Sequence, residues 1–205
     1  MPIRAKETVL LICDIQDRFR TAIWNFDAVV STSRKMIKAA KLLDIPVVTT
    51  EQNPRALGAT VGEVGLDALP KELNLGVFAK TKFSMHTPEI ADILRSKNIS
   101  SAIIVGIEAH VCVLQTALGL LESSIKPYVL ADGVSSCNSQ EINIALETIR
   151  HAGGVVSTSE SILFQLVGDA SEPNFKPMAG LVKEEKASTA SALSALLGGP
   201  SRSSL

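Results

Sequence analysis

The sequence has no apolar run long enough to cross a membrane. Its opening, "MPIRAKETVLLICDIQ", reaches an apolar run of about seven residues, where a spanning helix needs roughly 20. It also lacks the small-residue cleavage site of a signal peptide. Cysteine is scarce and odd in number. Cys13, Cys112 and Cys137 stand far apart, which argues against a disulfide framework and fits a reducing, cytoplasmic compartment. Neither sign of charge is in excess: the formal net charge is −1 and the basic residues are scattered, so no field is expected to hold nucleic acid or an anionic membrane. Glycine is missing where a dinucleotide would need it, since "CDIQDRF" holds none. The glycine-rich "GATVGEVG" (58–65) has no Lys-Ser/Thr pair behind it, so it is no P-loop; it reads as a long, mobile loop near a site. His86, His110 and His151 have no metal-ligand spacing, so neither a metal nor another cofactor is expected. Asn98-Ile99-Ser100 fits a glycosylation sequon, but without a secretory signal it reads as accidental. The final "SSL" (203–205) lacks the basic residue of a peroxisomal "SKL".

What is present is a globular pattern. The 205 residues are 46 % hydrophobic and 20 % charged, enough for one domain with a sizeable core. "TVLLIC" (8–13), "IPVVTT" (45–50), "LGVFAK" (75–80), "SAIIVG" (101–106), "KPYVLA" (126–131) and "GGVVST" (153–158) are short, continuous apolar runs, as expected of parallel strands buried on both faces. Between them the spacing turns helical. Val29, Val30, Met36, Ile37, Ala40 and Leu43 fall on one stripe, and Thr87-Pro88 reads as an N-cap with proline at the first helical position. "VCVLQTALGLLES" and "SQEINIALETIRHAGG" complete the series, the latter ended by Gly153 and Gly154. This rhythm predicts an α/β fold: one doubly wound domain over residues 1–182, a six-stranded, mostly parallel sheet with helices on both faces. From Lys183 the composition shifts to alanine and serine. The segment 183–205 reads as a tail whose Leu193, Leu196 and Leu197 form a weak apolar stripe that docks on the parent domain or on a neighbouring subunit.

Ligands in open parallel sheets sit beyond the carboxyl ends of the strands. There the first run ends in Asp14, the third in Lys80, and the fourth passes through "GIEAH" into Cys112. An acid, an ammonium and a thiol therefore converge by topology. A helix start and a lysine favour a thiolate, a carboxylate can take and return a proton, and helix-start amides can hold an oxyanion: a set suited to acyl transfer or amide hydrolysis. Each residue also has a plainer reading. Cys112 fills a core, Asp14 caps a turn, and Lys80, like Lys82 beside it, is a solvated surface lysine. His110 reads as a pocket residue or a rival base for Cys112. Phe19, Trp24 and Phe83 are candidate walls for a substrate. Asp132 reads as a cap at the end of the fifth strand, and Cys13 and Cys137 as packing cysteines.

Taken together, "LLICDIQDRF", "AKTKFSM" and "VGIEAHVCV" resemble the isochorismatase-like cysteine hydrolases over about residues 7–170, and "TEQNPRALGATVGEVG" resembles the isochorismatase domain-containing branch. The resemblance implies a Rossmann-like strand order, a triad of Asp14, Lys80 and Cys112, and a non-proline cis peptide at Ile107–Glu108 that would turn the amides of Glu108 and Cys112 toward an oxyanion. It selects Lys80 over Lys82, because the family lysine precedes the aromatic now at Phe83 by three residues. Two departures narrow the activity. The Asp-x-His…His metal site of nicotinamidases is replaced by "TTEQNPR", and the cysteine that true isochorismatases lack is present. The expected protein is a metal-independent hydrolase of a small amide, carbamoyl or related acyl substrate, working as a homo-oligomer through a Cys112 thioester. Two rivals keep the same fold: a non-catalytic interaction protein, and a redox sensor in which Cys112 meets peroxide.

Overall fold

The structure, a computed structural model, describes residues 3–198, so "SSL" lies outside the described residues. Six strands, β1 (Thr8–Cys13), β2 (Val47–Gln52), β3 (Asn74–Lys80), β4 (Ser101–Ile107), β5 (Lys126–Ser135) and β6 (Val155–Ser157), form one sheet in the order β3-β2-β1-β4-β5-β6. Every pairing is parallel. The chain order reverses between β1 and β4, and crossover helices cover both faces. This is the doubly wound α/β architecture expected of the apolar runs.

The period of two along each strand sorts the core into two layers. Leu10 and Ile12 of β1 pack with α1 (Phe26–Leu42), α6 (Ser159–Val167), α7 (Phe175–Glu184) and α8 (Lys186–Leu197). Val9, Leu11 and Cys13 face α3 (Pro88–Ser96), α4 (Leu114–Glu122) and α5 (Ser139–His151). A short α2 (Pro54–Leu57) follows β2. Thr87 caps α3, its Oγ1 accepting from Ile90 N at 3.4 Å. Burial of these strands on both faces is the main source of stability, at about 25 cal/mol per Å² of apolar surface.

Three features differ from the expectation. β5 does not stop at Ala131 but continues to Ser135. Asp132 lies inside it, fully buried, and still acts as a cap: its Oδ1 accepts from Ser159 N at 2.8 Å, and Oδ2 accepts from Ser159 Oγ, at the start of α6. The loop 58–65 is pinned rather than free. Gln16 Nε2 donates to Gly58 O at 2.7 Å, Thr60 N and Oγ1 donate to Glu51 Oε1 at 2.6 and 2.9 Å, and Val61 and Val64 are buried. Cys137 is exposed in the link between β5 and α5, not packed in a core.

The Ala/Ser-rich segment is helical as far as Leu197 and lies against α1. Lys35 Nζ donates to Thr189 Oγ1 at 2.7 Å, Asn25 Nδ2 to Ala195 O at 2.8 Å, and Lys38 Nζ bridges Glu184 and Glu185 at 2.6 and 2.7 Å. Leu196 is buried and Leu193 half-buried, whereas Leu197 faces outward. Among the described residues no helix is long and apolar enough to cross a membrane.

Candidate active site

The carboxyl ends of β1, β3 and β4 bring Asp14, Lys80 and Cys112 together. Asp14 leaves β1 in a left-handed conformation, φ +50°. Lys80 is the last residue of β3, opposite Gln52 in β2, and must reach across that strand. Cys112 sits in one wide turn of π type, Ala109–Val113, between β4 and α4. Gly106 permits the close fit of β1 and β4: it has φ +122°, and a Cβ there would lie 2.1 Å from Cys13 O.

Lys80 Nζ is the hub. It donates to Asp14 Oδ2 at 2.6 Å, Gln52 Oε1 at 2.7 Å and Phe83 O at 2.9 Å, and stands 3.7 Å from Cys112 Sγ. Three oxygens use the three protons of an ammonium, so the sulfur meets the cation mainly as a charge. The Lys80 and Asp14 side chains are 2 % and 1 % exposed. Asp14 Oδ1 also accepts from Thr50 Oγ1 at 2.8 Å. Burial alone would pull the Lys80 ammonium down, but the negative charge of Asp14 and the hydrogen bond to it hold it above its ordinary value. The Cys13 thiol is pushed up, first by burial, then by a hydrogen bond with Cys112 and by the Asp14 charge. Cys13 therefore stays protonated.

The remaining candidates divide. Lys82 is exposed and donates to His86 O at 3.1 Å, away from the hub. Phe83 lends its carbonyl to Lys80 while its side chain is half-exposed. Trp24 and His110 meet the end of β5: Trp24 N donates to Ser136 O at 2.9 Å, and His110 Nδ1 lies 2.9 Å from Ser136 Oγ. Phe19 packs, partly buried, on the α1 side of the core. The peptide Ile107–Glu108 is cis. Thr50 and Gln52 were not singled out in the sequence, although their place at the end of β2, between Asp14 and Lys80 in the sheet, is the signal that would have found them. A surface hollow of about 470 Å³ between α1 and α8 touches none of Asp14, Lys80 and Cys112.

Another group of ligand-type atoms lies beside this site. One atom each from Glu108, His110 and Cys137 fall within 4.8 Å of one another. Cys137 N donates to Glu108 Oε2 at 2.8 Å, and the carboxylate's hydrogen bond pushes the Cys137 thiol up.

A family model described as "Isochorismatase domain" matches residues 8–161. The chain is 41 % identical over 180 residues to Isochorismatase domain-containing protein 2 of Xenopus laevis, covering 87 % of this chain and 85 % of that protein. Among solved structures, one named MAR1 ribonuclease from Caenorhabditis elegans superposes with a TM-score of 0.82 at 38 % identity, covering 89 % of this chain and 93 % of that one. The YcaC gene product of Escherichia coli, described as an octameric hydrolase of unknown specificity, matches at a TM-score of 0.72 over 97 % of this chain and 92 % of that one. At 16 % identity, that last match speaks to the fold alone.

Proposed function

Because the chain belongs to the isochorismatase family, we propose that it is a cysteine hydrolase of a small amide, carbamoyl or related acyl compound. Family membership supports hydrolase chemistry. The observation that carries the finer reading is the contact of one buried ammonium, Lys80 Nζ, with both Asp14 Oδ2 and Cys112 Sγ.

The reaction balances on these groups. Cys112 Sγ attacks the carbonyl carbon and the thiol proton passes to the Asp14 carboxylate. Lys80 stabilises charge on sulfur and carboxylate among buried side chains, where such charge–charge contacts are stronger than at the surface. Amides at the Glu108 and Cys112 positions are the assigned donors to the oxyanion. The amine leaves with the proton from Asp14. Water then attacks the thioester as Asp14 takes one of its protons, and Asp14 passes that proton to the departing sulfur, which releases the acid and restores both the thiol and the carboxylate. Carbonyl attack in this scheme runs through the thiol.

A second substrate class comes from the ribonuclease name of the Caenorhabditis elegans relative. A Cys112 only 7 % exposed and a net charge of −1 favour a small substrate over a polyanion. Trp24, Phe83 and His110 are the proposed substrate contacts. Three free cysteines support a reducing, cytoplasmic setting.

The test is a turnover screen over small amides, ureas and carbamoyl compounds, with RNA as a parallel arm and Cys112→Ala as the control. A Cys112 acyl adduct, seen by peptide mass in the native protein and lost in Cys112→Ala, is the expected result. Turnover that survives Cys112→Ala, or cleavage of RNA alone, would overturn the reading.

A further inference from the structure

β4 and β5 are neighbours in the sheet, and Ile107 of β4 pairs with Ser135 of β5. The residues that follow, 108–110 on one strand and 136–137 on the other, are thereby held side by side. They carry a carboxylate, an imidazole and a thiol, and these three share one small volume, with a ligand atom from each within 4.8 Å of the others. A tetrahedral zinc shell with bonds of about 2.0–2.3 Å has ligand–ligand edges of roughly 3.3–3.8 Å. Rotations that move side-chain tips by about an ångström therefore close the set.

We infer that Glu108, His110 and Cys137 form a binding site for a zinc-class divalent cation, with its fourth coordination position open. The choice of ion follows from the ligands. A thiolate selects a borderline-soft cation over magnesium or calcium, and the imidazole and carboxylate complete a mixed set that zinc or cobalt accepts. Three protein ligands leave room for a water or a substrate oxygen.

The surroundings orient the ligands. His110 Nδ1 and His110 N both approach Ser136 Oγ, at 2.9 and 3.4 Å. We assign Nδ1–H as the donor, so that Nε2 keeps its lone pair for the metal. Glu108 Oε2 is held by Cys137 N at 2.8 Å, which fixes the carboxylate toward the sulfur. Glu108 and His110 are half-buried and Cys137 is exposed, so an ion has a path in. His110 is two residues before Cys112 in the same turn, which places the cation at the rim of the proposed catalytic centre. The site requires neither Asp14 nor Lys80 and does not depend on the triad being active.

The test uses the whole chain, stripped with a chelator, and two probes: cobalt(II) read by absorption and zinc(II) read by calorimetry. One cobalt per chain is expected, with tetrahedral d–d bands and a thiolate-to-cobalt charge-transfer band. Cys137→Ser is expected to remove the charge-transfer band and weaken zinc at least tenfold. Ser136→Ala, which loosens the imidazole without removing a ligand, is expected to weaken zinc by roughly 10- to 100-fold. Cys112→Ala is the contrast, and the band and the affinity should both survive it. Circular dichroism checks that each variant is folded; Cys137 is exposed, so its substitution leaves the core intact. A band that persists in Cys137→Ser, a band lost in Cys112→Ala, or no charge-transfer band in the native chain would overturn the site.

Discussion

Lys80 Nζ donates to Asp14 Oδ2 at 2.6 Å, and neither side chain is more than 2 % exposed. Two opposite charges so deeply placed depend on each other, because removing one strands the other without water. Breaking such a pair costs about 3–5 kcal/mol, whereas replacing both partners with uncharged groups costs far less. Lys80→Met alone is therefore expected to lower stability by about that amount. Lys80→Met combined with Asp14→Asn is expected to recover more than about 1 kcal/mol of it. Urea unfolding of the two singles and the double closes the cycle; simple additivity would mean that the two charges do not sense each other.

The same ammonium bears on the thiol. A cation 3.7 Å from Cys112 Sγ stabilises negative charge developing there. Iodoacetamide, read by peptide mass in the presence of chelator, is expected to label Cys112 while Cys13, buried and held as the thiol, stays unmodified. Lys80→Ala is expected to slow Cys112 at least tenfold and leave exposed Cys137 unchanged. Equal rates at Cys112 before and after the substitution would remove Lys80 from the activation of the sulfur.

Helix α8 adds a pH dependence at its start. Burial alone would raise the Glu185 carboxyl, but hydrogen bonds from Lys38 and Ser188 hold it below its ordinary 4.5. A depressed carboxylate means that the unfolded chain binds the extra proton first. Its contribution is thus present above pH 4.5 and is lost as pH falls through the folded value. Native-state hydrogen exchange of α8 is expected to accelerate on acidification below about 4.5 before the sheet opens. Glu185→Gln should flatten that acid limb, and an unchanged pH profile in the variant would assign the effect elsewhere.

Gly106→Ala probes the approach of β1 and β4. The residue must hold φ +122°, and its Cβ would meet backbone, Cys13 O, at 2.1 Å. Strain at such a φ costs about 1–3 kcal/mol by itself, and a backbone overlap cannot be relieved by a rotamer. A loss of about 3 kcal/mol or more is expected, seen as a fall in the thermal midpoint; a loss below about 1 kcal/mol would show that the strands can part without harm.

The sheet was legible because its strands are buried on both faces, which writes each as an unbroken apolar run. All six runs overlap their strands, and Asp14, Lys80 and Cys112 were reachable because strand ends in such a sheet share one edge. What escaped detection is what only register fixes. Thr50 and Gln52 look like ordinary polar strand residues until β2 is seen to lie between Asp14 and Lys80. Asp132 reads in sequence as a cap at the end of the fifth strand, yet it lies buried inside β5, where Ser159 satisfies both of its oxygens. Cys137 gave no signal beyond its type, since its neighbours Glu108 and His110 come from another strand. The alanines and serines after Lys183 carry little apolar pattern. Their docking rests on small side chains and on polar contacts from Lys35, Lys38 and Asn25.

Asp14 separates an enzyme from a reactive relic. In the proposed scheme it takes the thiol proton, hands it to the leaving amine and recovers it from water. Asp14→Asn keeps the size, but its single carbonyl oxygen can accept from Thr50 Oγ1 or from Lys80 Nζ and not from both, and it cannot carry a proton. General acid–base groups contribute about 10²–10⁴ in rate, so turnover of any substrate found by the screen is expected to fall by roughly that factor. Alkylation of Cys112 runs the other way. A carboxylate nearby opposes a thiolate, and removing its charge leaves the Lys80 ammonium unopposed. Labelling is therefore expected to hold steady or quicken in Asp14→Asn, with KM little changed because substrate contacts are untouched. A redox sensor or an inert relic would show the labelling response without any turnover to lose. If Asp14→Asn retained full kcat, or if it silenced Cys112 toward iodoacetamide as well, the proton-carrying role of Asp14 would be wrong.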